Sequence, residues 1–130
     1  MVVVDANVIT HLILKGEHST ACGKLYLADS EWAAPRLWQD EISNVLATYE
    51  RLGTLTREEG LLAFQDAREI LASNTFEVGV ERILAVAAKT GCSGYDSQYI
   101  ALAEDLGLPL YTYDKKVLAA ASAVSRRPPA

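Results

Sequence analysis

Val2-Val3-Val4-Asp5-Ala6-Asn7 opens the chain, and Leu110-Tyr111-Thr112-Tyr113-Asp114 stands near its end. In each, a short apolar run delivers an aspartate. The three valines carry no polar alternation, so they read as a buried strand. Leu108 to Tyr113 reads as the last clear strand, entered after Gly107 and Pro109 have ended a helix. Acids immediately beyond strand ends matter because parallel sheets bind ligands outside the carboxyl ends of their strands, where strand order reverses.

Working inward, a helix is expected from Ala6 to about Leu14, ended near Gly16, and a second from about Glu17 to Asp29 with Ala21, Leu25 and Ala28 on one face. Trp32-Ala33-Ala34 reads as a strand. Pro35 suits the first turn of a helix running to Arg51, with Gly53 as its cap. Thr56, followed by Glu58 and Glu59, starts a helix that reaches about Ala72. Thr75 to Val78 reads as a strand and Glu81 to Thr90 as a helix stopped by Gly91. Ser93-Gly94-Tyr95 reads as a loop, Asp96 to Leu106 as a helix, and Lys115 to Ala123 as the final helix. Ser125 to Ala130 reads as a frayed tail, which divides the chain into a domain at 1–123 and a tail at 124–130. Short apolar strands separated by helices, without internal repeats, imply an α/β fold with a parallel sheet covered on both faces.

At 130 residues, half of them hydrophobic, the chain suits one domain with a proper core. No apolar run approaches the roughly 20 residues of a membrane helix. The first residues lack the basic leader and long apolar region of a signal peptide. Two cysteines, Cys22 and Cys92, are too few for a disulfide scaffold, and a reduced, cytoplasmic protein is expected. The net charge of −5 argues against gripping nucleic acid by bulk electrostatics. It leaves open a nuclease whose carboxylates recruit a cation to the scissile phosphate, with either weak substrate binding outside the active centre or local basic patches.

Position separates the functional acids from the ordinary ones. Trp38, Ile42, Val45, Leu46, Tyr49 and Leu52 form one helical stripe; Glu41 falls on its edge beside Val45, and Asp40 on the far side. A carboxylate at the margin of a buried face needs compensation. Asp96 shares the inward face of Tyr99, Ile100 and Ala103, whereas Asp105 points away. Each acid also has a structural alternative: helix caps for Asp5, Asp96 and Asp114, and an ion pair with Arg36 for Glu41. Asn7, an alternative cap, is otherwise placed to orient Asp5 or a bound water. Thr112 lies on the same side of an extended segment as Asp114 and suits a hydrogen bond to a carboxylate. Clustered carboxylates raise one another's pKa, and a hard divalent cation removes that penalty through the oxygen ligands it prefers.

These stretches, with Trp38-Gln39-Asp40-Glu41-Ile42-Ser43-Asn44-Val45-Leu46 and Tyr95-Asp96-Ser97-Gln98-Tyr99-Ile100-Ala101-Leu102-Ala103, resemble the PIN-domain family and, within it, the VapC-type toxins. The resemblance implies a compact α/β/α sandwich with a central parallel sheet. It implies that Asp5, Glu41, Asp96 and Asp114 coordinate Mg²⁺ or Mn²⁺, with Asn7 and Thr112 in support. The implied reaction is hydrolysis of an RNA phosphodiester by an activated water, leaving a 5′-phosphate and a 3′-hydroxyl without a covalent intermediate. It also implies an antitoxin partner and a homodimer, for which Leu25, Tyr26, Leu61 and Phe64 are candidates, although core packing claims most such residues. The family often adds a strand after the last helix, for which Ser122 to Ala130 is a poor candidate.

No Ser-His-Asp set or histidine pair competes; His11 and His18 read as surface or packing residues. The main alternative is a non-catalytic PIN-like module binding RNA or a protein. Phosphatase and receiver domains also place an aspartate after the first strand, but Asn7 cannot serve as a second acid. A flap-endonuclease-like DNA enzyme needs elements for which this chain lacks room.

Overall fold

The computed structural model describes residues 1–130. In chain order the elements are β1 (Val2–Val4), α1 (Ala6–Ile13), α2 (Ser19–Ala28), β2 (Trp32–Pro35), α3 (Trp38–Arg51), α4 (Arg57–Leu71), β3 (Thr75–Phe76), α5 (Val80–Thr90), α6 (Gly94–Leu106), β4 (Leu110–Tyr111), α7 (Lys115–Ala120) and β5 (Ser125–Arg126). The five strands form one parallel sheet in the order β3-β2-β1-β4-β5. The chain first winds outward from β1 through β2 to β3, then crosses back to β4 and outward again to β5. Right-handed crossovers therefore put α1 to α4 on one face and α5 and α6 on the other, giving the expected three-layer α/β/α sandwich. The reversal of strand order lies between β1 and β4, where Val3 pairs with Leu110 and Val4 with Tyr111.

The core explains why the valine run admits no polar residue. Val3, Val4, Trp32, Ala33, Ile100 and Leu110 are fully buried, because both sheet faces are covered. Thr56 caps α4 as expected, in a reciprocal capping box: the Glu59 N–H donates to the Thr56 hydroxyl at 3.1 Å and the Thr56 N–H to the Glu59 carboxylate at 2.9 Å. Gly91 and Gly107 close α5 and α6 at φ 72° and 66°, the left-handed region where a Cβ is costly.

Three sequence-based expectations are corrected. Pro35 ends β2 and does not open α3. Ala34 and Arg36 direct their N–H groups to β3, so the missing N–H of Pro35 faces the β1 side, where β1 has already turned into α1. Helix α6 begins at Gly94, because the Ser93 hydroxyl accepts the Asp96 N–H at 3.1 Å and caps it. The helix cap considered for Asp96 is thus taken by Ser93. Finally, Ser125 does not begin a frayed tail. Ser125–Arg126 is a strand pairing with β4, tied by Leu110 N–H to Val124 O at 2.8 Å and Thr112 N–H to Arg126 O at 2.9 Å. The final helix stops at Ala120, and Pro128 is buried. Both residues of this strand are polar, so no apolar run reveals it, as one does for β4.

Candidate active site

Asp5 leaves β1 and caps α1; its Oδ1 accepts the Ala6 N–H at 2.7 Å. Its Oδ2 accepts the Thr112 hydroxyl at 2.7 Å across the strand reversal. The residue is only 6% exposed. Burial pushes its pKa up to about 7, against the opposing hydrogen bonds of Thr112 and Ala6 and with added repulsion from Glu41 and Asp96. Thr112 is itself fully buried and accepts the Asp114 N–H at 3.0 Å. Asn7 stands beside both, donating to Thr112 Oγ1 at 3.4 Å and to Asp5 Oδ2 at 3.5 Å, while its Oδ1 accepts the Tyr113 N–H at 3.2 Å. β1 and β4 are thus joined beyond the sheet by Asp5, Asn7 and Thr112.

Glu41 comes from the first turn of α3 and is half-buried, whereas Asp40 is exposed. Arg36, considered as its ion-pair partner, bonds Glu77 at 2.8 Å instead. The partner of Glu41 is the Tyr99 hydroxyl, which donates to Oε1 at 2.7 Å. Burial raises the Glu41 pKa, the Tyr99 bond opposes this, and Asp96 adds repulsion. Tyr99 lies one turn along α6 from Asp96, and burial, with the neighbouring Glu41 and Asp5 charges, drives its own pKa well up. Asp96 is half-buried and raised by burial first and by Asp114 second, with Ser93 and Lys116 opposing. Asp114 caps α7, its Oδ1 accepting the Lys116 N–H at 2.9 Å and the Val117 N–H at 3.2 Å.

The structure brings all four acids together. Asp5, Glu41, Asp96 and Asp114 line one cleft of about 440 Å³ with Asn7, Thr10, His11, Asn44 and Tyr49. No lysine or arginine is among the lining residues. Thr112 lies behind the cleft as a support to Asp5. His11, read from sequence as a surface or packing residue, is a wall of the cleft. Tyr99 and Asn44 also escaped the sequence reading. The available signal was helical spacing: each stands three residues after an inward acid, Asp96 and Glu41.

The donor set is all oxygen, which suits a hard divalent cation. As the side chains stand, no group of three His, Cys, Asp or Glu is arranged to hold an ion. The fit to a metal therefore rests on donor chemistry and on four acids sharing a cleft with no cation in its lining.

The family model for the PIN domain matches residues 2–123. The chain is similar to Ribonuclease VapC3 of Pyrobaculum aerophilum, at 29% identity over 118 residues, covering 88% of this chain and 90% of that protein. A crystal structure of a Pyrobaculum aerophilum protein superposes with a TM-score of 0.68 at 28% identity, over 91% of this chain and 84% of the other. Two further structures share the fold at lower identity. A toxin–antitoxin complex from Klebsiella pneumoniae gives a TM-score of 0.71 at 19% identity, covering 99% and 98% of the two chains. FitAcB from Neisseria gonorrhoeae gives 0.70 at 17%, covering 98% of each. The sheet order, the acids at its strand reversal and a family match spanning nearly every element lead to one conclusion: this chain belongs to the PIN-domain family.

Proposed function

We propose that this protein is a divalent-metal-dependent endoribonuclease, using Mg²⁺ or Mn²⁺, and the toxin of a toxin–antitoxin pair. One observation carries the reading: four carboxylates line a single cleft at the strand reversal, with no lysine or arginine in its wall. A cleft so charged repels a phosphodiester unless cations neutralise it. The choice of RNA rests on similarity to Ribonuclease VapC3, and the antitoxin on the kind of complex in which the Klebsiella pneumoniae structure was solved.

Asp5, Glu41, Asp96 and Asp114 would hold the metal. When bound, a divalent ion polarises the phosphoryl oxygens and makes water a stronger nucleophile at neutral pH. Asp5 enters with its orientation fixed by Thr112 and the Ala6 N–H, and Glu41 with its orientation fixed by Tyr99. Asp114 spends one oxygen on the α7 cap, which suits it to an outer position. Asn7 is held by Tyr113 and Asp5 and presents its amide beside the reacting centre. The nucleophile is water, since no serine or cysteine lines the cleft and the Thr10 hydroxyl donates to the Ala6 carbonyl at 2.8 Å.

Purified protein should cleave RNA with Mn²⁺ or Mg²⁺ and stop with EDTA. Asp5→Asn and Asp96→Asn should remain folded and lose about a hundredfold or more in turnover. Titration calorimetry should detect Mn²⁺ binding in the parent and not in these variants. Mutants that cleave as well as the parent would overturn the site, and RNA binding without any cleavage would favour the non-catalytic module. The toxin role predicts that expression without an antitoxin slows growth in an Asp5-dependent way. A homodimer belongs to the same reading. Of its candidate residues Leu25 is core and Leu61 is 66% exposed; sedimentation as a monomer alone at micromolar concentration would count against it.

A further inference from the structure

No lysine or arginine lines the acidic cleft, although Lys116 acts on Asp96 from α7, and the C-terminal strand brings an arginine close to the wall residue His11. β5 pairs with β4, and Pro128 is buried beyond it, so Arg127 is fixed between two anchored positions. Its guanidinium lies over the Tyr113 ring, 5.1 Å from the centroid. His18 stacks on Tyr113 at 3.9 Å with planes 14° apart. Since that stacked imidazole fills one face, the guanidinium takes the other. His11 meets the edges of this stack, at 4.8 Å from His18 and 5.5 Å from Tyr113, and is itself a wall of the acidic cleft. Tyr113 is joined to the same cleft through its backbone, which bonds Asn7 and leads directly into Asp114.

Arg127 is exposed and makes no ion pair, whereas Arg36, Arg57 and Arg82 are each committed to carboxylates. A guanidinium seated on an aromatic ring loses less side-chain freedom on binding than a loose one. Both faces of Tyr113 are filled, so the ring orients its neighbours and is not a platform for a base. We propose that Arg127, held on Tyr113 beside His11 and His18, is a phosphate-binding positioning residue that fixes the RNA backbone next to the acidic cleft. The role rests on the ribonuclease reading for its substrate. It answers the charge problem of a chain at −5, because one oriented arginine at the rim supplies the contact that bulk charge does not. Arg126 is exposed too, but it stands inside β5, and the guanidinium over Tyr113 is that of Arg127.

The test uses the full chain and a single-stranded RNA oligonucleotide labelled for fluorescence anisotropy, with Ca²⁺ in place of Mn²⁺ so that the carboxylates are neutralised while turnover is suppressed, at several salt concentrations. Arg127→Gln should weaken binding roughly five- to tenfold and reduce the salt dependence by about one phosphate contact. Arg127→Lys should retain part of the affinity, and Arg126→Gln should change it less than about twofold. In Mn²⁺, Arg127→Gln should raise KM with little change in kcat, a split that a merely structural anchor does not produce. Thermal melts of each variant check that the tail stays docked. Unchanged affinity and salt slope in Arg127→Gln, or an equal loss in Arg126→Gln, would overturn the proposal while leaving an active parent's ribonuclease reading intact. A parent that binds RNA through Arg127 without cleaving would sustain the proposal and sink the ribonuclease reading. A parent that neither binds nor cleaves sinks both.

Discussion

Asp5 carries the largest burial cost of the four acids. With its pKa pushed up to about 7, chiefly by burial, the folded metal-free protein keeps a proton that the unfolded chain releases near pH 4. The raised folded-state value means that Asp5 contributes its full stability below about pH 4, and that this is lost as pH rises towards 7. Asp5→Asn stays neutral and can still cap Ala6. In EDTA it should therefore exceed the parent in stability by roughly 2–4 kcal/mol above pH 7, the gap closing towards pH 4. Urea unfolding at pH 4, 6 and 8 reads this directly, and equal stabilities at pH 8 would show that the carboxylate bears no such cost. Tyr99 makes a second case. Tyr99→Phe removes the 2.7 Å donor to Glu41 while keeping the buried ring. Mn²⁺ affinity and turnover should fall at least tenfold, with little change in the melting temperature.

At the scale of elements, capping and site duties coincide. Asp5 caps α1 and Asp114 caps α7, so the structural alternatives noted for them are both real. They do not compete with a role in the cleft: the Asp114 cap engages Oδ1 and leaves Oδ2 available, while Asp5 Oδ2 is held in place by the Thr112 hydroxyl. Substitution separates the two duties at Asp114. Asp114→Ala should lose both, destabilising the protein by about 1 kcal/mol. Asp114→Ser should restore most of the stability through its hydroxyl cap without restoring cleavage. Full activity in the serine variant would reduce Asp114 to a cap alone. Glu41 and Asp96 are different: neither caps a helix, and their inward phase on α3 and α6 was readable from the apolar stripes around them.

For the whole molecule, β5 decides the edge of the sheet and carries the chain to Arg127 over Tyr113. Truncation after Ala123 removes the backbone bonds to Leu110 and Thr112 and leaves β4 as an open edge. It should cost roughly 2 kcal/mol, seen as a lower melting temperature; an unchanged melt would mean the strand adds no stability. The same truncation marks the limit of what the chain discloses in one dimension. Local pattern sufficed for the valine strand, the Thr56 capping box, the glycine stops at Gly91 and Gly107, and the separation of Glu41 from Asp40, because each depends on residues within a few positions of one another. Strand order, the Glu41–Tyr99 bond, the place of His11 in the cleft wall and the docking of Arg127 join residues beyond the reach of any local pattern. The polar two-residue strand β5 also carries no apolar run by which to be recognised, unlike β4 within Leu108 to Tyr113, and its hydrogen bonds are chosen by its neighbour. Which acids face inward is legible in local pattern; what each one touches is not, because burial and partners are properties of the packed sheet and not of any segment within it.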